Sequence, residues 1–300
     1  MDWLTEPLRD VGAVRALMAV VVMGATCGAI GAYVIVRRLA FIGDAVSHGV
    51  LPGVVIASLI GTSILIGAAA AGLVTAIGIA VVARSGRIRE DAAIGVLFTG
   101  AFALGVVLIG TGADADEQLE SLLVGELHDV TAANVVLGVI TSVSALAILA
   151  LLHKELLLTS FDRTLASAQG YPVFALDALL LVLLAMTIVI SIQAVGIILV
   201  VAMLVTPSAT ARLLVDRFVP MLILGSVIGA VVGVIGFYLA FHLEAASGGT
   251  IVLVATALFG LAFVLSPTHG VLAHRRLRHA RHDVVAPAVD RRAGHEHPAD

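Results

Sequence analysis

An aspartate and a histidine stand four residues apart in an otherwise apolar stretch of this sequence. Asp44 and His48 lie in the segment RRLAFIGDAVSHGVLPG, residues 37–53. Residues at i and i+4 share one face of a helix, and titratable side chains at membrane depth are functional by default because they are costly there. Divalent metals accept carboxylate oxygen and imidazole nitrogen as ligands. The pair predicts a metal site, with a structural Asp–His pair as the alternative.

The residues around this pair predict an interrupted helix. Pro52 cannot donate the hydrogen bond that would engage the His48 carbonyl, and we expect a break or kink between residues 49 and 53. Broken helices at membrane depth line a cavity or a substrate path. The Ser47 hydroxyl is a further possible ligand. Zinc and manganese need more ligands than this helix offers, so other spans, water or a second copy of the chain must complete the site.

Glu90 and Asp91 form a second acidic pair, directly after the basic segment RSGRIR at 84–89. Acidic residues in the first turn of a helix interact favourably with its dipole, and neighbouring arginines can pair with them. This structural role is favoured. The alternative is a second metal site, in which Glu90 and Asp91 would both be ligands.

The composition defines the elements that must position these residues. Of the 300 residues, 60% are hydrophobic and 13% charged, with a mean hydropathy of +1.11, whereas a soluble domain carries about 25% charged residues. A helical span needs ~20 apolar residues. We predict an all-α, polytopic transmembrane bundle of eight or nine spans. The apolar run from Phe174 to Leu214 is long enough for two spans, and residues 191–196 are the only plausible hinge within it. The predicted spans lie near 12–36, 42–60, 62–83, 91–110, 130–152, 174–193, 195–214, 218–242 and 250–266.

The arginines predict the orientation of the bundle. Apart from Arg9 and Arg15, before or within the first span, they fall on alternate loops, and by the positive-inside rule those loops are cytoplasmic. The N-terminus is then outside, the C-terminus inside, and the acidic loop 114–120 faces outward. The transmembrane domain covers 1–270. The tail, 271–300, is rich in His and Arg and has a composition typical of disorder; a metal-binding or lipid-binding role for it is the alternative.

Two residue types that occur once exclude several functions. Lys154 is the only lysine and lies in the tripeptide HKE, so no G-x-x-x-x-G-K-[ST] loop for nucleotide phosphates exists here. Any ATP used must be hydrolysed by another chain. Cys27 is the only cysteine, which excludes an intrachain disulfide. The motifs HExxH and GxSxG are also absent from the sequence, so we expect no intramembrane protease or hydrolase.

A short helix is predicted within residues 159–172, on the cytoplasmic side. Ser160 or Asp162 can cap its start, and Gly170 can adopt the left-handed conformation at its end, with Pro172 preventing continuation. This helix is either a docking element for a partner protein or an ordinary connector. Separately, glycines at four-residue spacing predict close helix packing within the chain: Gly24, Gly28, Gly225, Gly229 and Gly233.

Four segments together resemble the ABC-3 permease family, the membrane subunits of zinc, manganese and iron ABC importers. They are the segment 37–53, REDAAIG at 89–95, DRTLASAQG at 162–170 and QAVGIILVVAMLVTPSATAR at 193–212. The resemblance covers residues 12–270 in order and excludes the tail.

This resemblance implies a homodimeric permease in a bacterial cell membrane, partnered by a separate ABC ATPase and an extracytoplasmic metal-binding protein. It implies that Asp44 and His48 line the path of the transported ion, with zinc or manganese favoured, and that no cofactor is permanently bound. Asp162, Ala166 and Gly170 would belong to the coupling helix that docks on the ATPase. Two alternatives stay open. One is an ion-coupled secondary carrier with Asp44 and His48 as a proton relay, and the other is a membrane metal sensor that does not transport.

Overall fold

The computed structural model describes residues 5–110 and 130–266, and these residues form helices and no strand. Within the described ranges, 9 helical segments are long and apolar enough to cross a membrane. The all-α prediction is confirmed, and within these ranges the candidate spans number nine and not eight. The acidic loop 114–120 and the tail 271–300 lie outside the described residues.

The helices are numbered along the chain, after a short 3-10 helix at Pro7–Arg9. They are α1 Val11–Val36, α2 Ile42–Gly49, α3 Leu51–Leu59, α4 Ile64–Arg84, α5 Glu90–Ile109, α6 Ala132–Leu151, α7 His153–Phe161, α8 Arg163–Ala168, α9 Val173–Val195, α10 Ile197–Leu214, α11 Phe218–Leu243 and α12 Ser247–Leu265. Each predicted span is present, with its ends shifted by a few residues at most. Helix α7, which follows α6 after Leu152 alone, was not predicted.

The second span is broken where the sequence predicts it. Helix α2 ends at Gly49, α3 begins at Leu51, and Val50 joins them. Pro52 occupies the first turn of α3, where the missing N–H costs nothing because that group has no intrahelical partner. A Cβ on Gly49 would lie 2.7 Å from the Thr75 hydroxyl of α4. The break therefore lies in close contact with a neighbouring span.

The boundary between α9 and α10 is a single glycine. Gly196 has φ 80° and ψ 163°, a conformation that residues with a side chain rarely adopt. It separates Val195 from Ile197 and divides the long apolar run into two spans. The predicted hinge at 191–196 is confirmed.

Helix α1 forms the centre of the bundle, together with the α2–α3 pair. In each of these two spans 72% of the apolar window is buried, against 17% in α5, which therefore lies at the periphery. A Cβ on Gly24 would lie 2.7 Å from the Gly229 carbonyl oxygen of α11. The Ser208 hydroxyl of α10 donates a 2.8 Å hydrogen bond to the Gly28 carbonyl. Small residues thus bring three helix backbones together, as their spacing predicts.

Candidate functional site

Asp44 and His48 occupy the first and last turns of the short helix α2 and lie on one face of it. The His48 Nδ1 atom lies 3.4 Å from Asp44 Oδ1 and 3.1 Å from the Asp44 backbone oxygen. A carbonyl oxygen can only accept, so a hydrogen bond there requires a proton on Nδ1. The neutral imidazole then carries its lone pair on Nε2, the form in which histidine binds metals. This contact within the helix therefore orients the His48 ring and leaves Nε2 outside the hydrogen bond.

The pair is partly open within the single chain. The side chain of Asp44 is 44% exposed and that of His48 is 24% exposed. Charged groups buried for structural reasons are paired and shielded from solvent, whereas these two side chains are only partly shielded. The pair therefore faces an opening or a surface that another molecule can cover.

Two phenylalanines of α5 hold the ring of His48. The ring centroids of Phe98 and Phe102 lie 5.6 and 5.7 Å from that of His48, with interplanar angles of 83° and 65°. Such edge-to-face contacts are a preferred aromatic geometry, and they restrict rotation of the imidazole. Neither phenylalanine was predicted from the sequence as part of the site. Their i,i+4 spacing was a signal for a shared face, but it did not indicate which helix they contact.

The other candidate ligands lie in different surroundings. The Ser47 side chain is buried, and its hydroxyl has no hydrogen-bond partner within the described part of the chain. Glu90 pairs with Arg163 of α8, and Asp91 lies 3.7 Å from Arg89. In residues 5–110 and 130–266, no group of three or more His, Cys, Asp or Glu side chains could hold a metal ion. The fold thus joins Asp44 with His48 and does not bring Glu90 or Asp91 to them.

The short helix predicted within residues 159–172 is present as α8. The Asp162 carboxylate accepts a 2.9 Å hydrogen bond from the Leu165 N–H and so caps it. Gly170 follows with φ 83°, the left-handed conformation predicted for the end of the helix. Ala166 is fully buried, so its contribution is to seat α8 against the rest of the chain.

A network of ion pairs, not predicted from the sequence, surrounds α8. Arg37, between α1 and α2, is bound 2.5 Å from Asp177 Oδ1 of α9. Arg163, the first residue of α8, pairs with Glu90 and lies 3.5 Å from Asp177 Oδ2. These four residues, together with Phe174, line a cavity of about 310 Å³. Asp177 is therefore shared between two arginines from distant parts of the sequence.

Burial and pairing act in opposite directions on the two arginines. Burial lowers the pKa of Arg37, and the charge and hydrogen bond of Asp177 oppose this effect. Burial also lowers the pKa of Arg163, but its hydrogen bond to Glu90 and the charges of Asp177 and Glu90 outweigh burial, so the pKa is raised. Arginine stays protonated in proteins, so both groups carry their charge at physiological pH.

The sequence matches the model of the ABC 3 transport family over residues 12–266. It is 46% identical over 262 residues to "Manganese transport system membrane protein MntC" of Halalkalibacterium halodurans, covering 86% of this chain and 88% of that protein. It is 36% identical to "Chelated iron transport system membrane protein YfeC" of Yersinia pestis, covering 92% and 93% of the two chains.

Among solved structures, the fold is similar to that of "PsaBC from Streptococcus pneumoniae in complex with Fab". The TM-score is 0.80 at 35% sequence identity, with coverage of 91% of this chain and 99% of that one. A second similar structure is "An inward-facing conformation of a putative metal-chelate type ABC transporter", with a TM-score of 0.69 at 20% identity, covering 83% and 85% of the two chains. At this lower identity the likeness concerns the fold alone.

Proposed function

Because the chain belongs to the ABC 3 transport family, we propose that it is the membrane permease subunit of an ATP-driven importer of a divalent transition metal. The names of the relatives favour manganese as the ion, with iron(II) second. Zinc, which the residues alone favour equally, has less support. The chain itself does not hydrolyse ATP, because its single lysine cannot form a P-loop.

The observation that carries this proposal is the geometry of Asp44 and His48. The contact between Nδ1 and the Asp44 backbone leaves Nε2 as a ligand, and the break at Val50 places the pair in an interrupted span. A transported ion must also be released, so a two-residue ligand set suits a transient site. Water or a second copy of the chain supplies the other ligands.

The proposed assembly contains two copies of the chain, two ABC ATPases and an extracytoplasmic metal-binding protein. The partial exposure of Asp44 supports a second copy next to α2. Helix α8 is the proposed coupling helix, held on the cytoplasmic side of the cell membrane. The alternate arginine-bearing loops support this orientation, with the N-terminus outside and the C-terminus inside.

ATP dependence of metal uptake tests the proposal. The permease, its ATPase and its binding protein are reconstituted in vesicles, and uptake of manganese, iron(II) and zinc is measured with ATP or a non-hydrolysable analogue. We expect uptake only with ATP, and manganese transported best. Uptake without ATP would favour the secondary carrier. A complex that transports no metal would favour the sensor. Deletion of residues 271–300 is the second test, and a transporter should keep transporting without this tail.

The coupling helix gives a separate prediction through Gly170. Valine at this φ of 83° strains the backbone by about 1–3 kcal/mol, because β-branched residues avoid the left-handed region. We expect Gly170→Val to distort the end of α8, to lower recovery of the ATPase with the permease and to reduce uptake about tenfold. Co-purification and vesicle uptake measure these effects.

Gly86 provides a matched control for this substitution. Its φ is 64°, a Cβ there meets no atom within 4 Å, as at Gly170, and it lies in the loop between α4 and α5. Gly86→Val imposes similar backbone strain away from α8. If both variants bound the ATPase equally well, α8 would not be its docking element.

A further inference from the structure

The shared carboxylate of Asp177 joins the segment that precedes α2 to the start of α8. Its Oδ1 binds Arg37, which lies in the link from α1 to the helix of Asp44 and His48. Its Oδ2 faces Arg163, the first residue of the proposed coupling helix. Asp177 itself is fixed in the first turns of α9, a long span that contacts α2, α4 and α6.

The Arg37 side chain is fixed on three sides. Its Nε donates to the Ser160 hydroxyl at 2.8 Å and its Nη2 to the Thr159 hydroxyl at 2.9 Å. Both partners belong to the last turn of α7, directly before α8. The Arg37 side chain is only 4% exposed. Hydrogen bonds from Arg37 therefore connect the segment before α2 to the last turn of α7, which precedes α8.

Arg163 provides a second connection, from α8 to α5. It pairs with Glu90, the first residue of α5, and the same helix carries Phe98 and Phe102 against the His48 ring. In contrast to Arg37, the Arg163 side chain is 48% exposed and borders the cavity of about 310 Å³. It has room to exchange partners, while Arg37 does not.

We propose that Asp177 is a positioning residue that couples movement of α8 to the metal site. The fixed pair with Arg37 keeps α9, α7 and the start of α2 together, and the exchangeable pair with Arg163 lets the coupling helix act on them and, through Glu90, on α5. The inference rests on the proposed function, and it adds Asp177, Arg37 and Glu90, which lie outside both the Asp44–His48 pair and α8. Without the Asp177 charge, ATP hydrolysis should continue with less metal moved per ATP.

The test uses the complete complex in vesicles and measures ATP hydrolysis and manganese uptake in the same sample. We expect Asp177→Asn and Arg163→Gln each to raise the ATP consumed per manganese ion at least about fivefold. The double variant should be no worse than the more severe single one, because residues in one network are non-additive. Asp216→Asn is the control, because Asp216 is an exposed acidic residue in the loop between α10 and α11. This variant should consume as much ATP per manganese ion as the unaltered complex.

Arg163→Gln keeps the test decisive if Asp177→Asn yields no folded protein, because Arg163 is half exposed. A residue needed only for folding would lower the yield of the complex and leave the ratio of ATP to metal unchanged. That outcome, or additive effects in the double variant, would overturn the inference while the unaltered complex still transports. Absence of ATP-dependent uptake by the unaltered complex would instead overturn the proposed function and this inference together.

Discussion

His48→Ala and Asp44→Ala should each reduce metal uptake by more than about 100-fold while the permease still assembles with its ATPase. Partners outside the ligand shell of a metal are already worth ~10–100-fold in affinity or activity, and these two residues are proposed to be ligands themselves. Vesicle uptake at several manganese concentrations measures the loss. Recovery of the ATPase with the permease shows that the fold is intact, which is expected because both side chains are partly exposed.

His242→Ala is the matched control for this experiment. His242 makes the same local contact as His48, from Nδ1 to the carbonyl oxygen four residues earlier, here at 2.8 Å from Tyr238. It lies in the last turn of α11, away from α2. We expect His242→Ala to transport metal normally. Normal uptake by either the Asp44 or the His48 variant would refute the site assignment.

Gly31→Ala should prevent stable packing of α1 against α10. The added methyl group would overlap the Leu204 carbonyl oxygen and lie 2.5 Å from the Ser208 hydroxyl oxygen. Overpacking a core typically costs ~1–3 kcal/mol, and the upper end or more is expected here because the obstructing atom belongs to a helix backbone. We expect a lower yield of folded protein and a thermal unfolding midpoint several degrees lower, measured in detergent.

Gly260→Ala separates this steric effect from the general effect of replacing a helical glycine. A Cβ on Gly260, in α12, meets nothing within 4 Å, and alanine in a compatible helical position stabilises by ~0.4–1 kcal/mol. Its unfolding midpoint should stay the same or rise. If Gly31→Ala unfolded at the same temperature as Gly260→Ala, the close approach of α1 and α10 would be wrong.

Features set by local chemistry were predictable from the sequence. The break at Val50, the glycine joint at Gly196 and the Asp162 cap each follow from a proline, a glycine or a capping residue at a fixed place in the chain. The span positions follow from long apolar runs, which only helices can use in lipid. The Asp44–His48 pair was predictable for the same reason, since both residues belong to one helix turn.

Features that join distant segments were not predictable in this way. Arg37 and Asp177 are 140 residues apart, and no periodicity in the sequence pairs one charge with the other. Asp177 could be seen only as a charge near the start of an apolar run. Phe98 and Phe102 looked like ordinary apolar residues of a span, because aromatic side chains show their partner only once the helices are packed. Tertiary packing decides such contacts.

The central position of α1 has a consequence for the order in which the chain assembles. Among the described spans α1 comes first along the chain; it packs against α10 and α11, and its Gly28 carbonyl accepts a hydrogen bond from Ser208, 180 residues later. Until those helices are inserted, the glycine face of α1 has only lipid or transient neighbours to contact. The bundle can therefore close only late in biosynthesis, and a nascent chain that stops before Phe218 lacks the helix that covers Gly24.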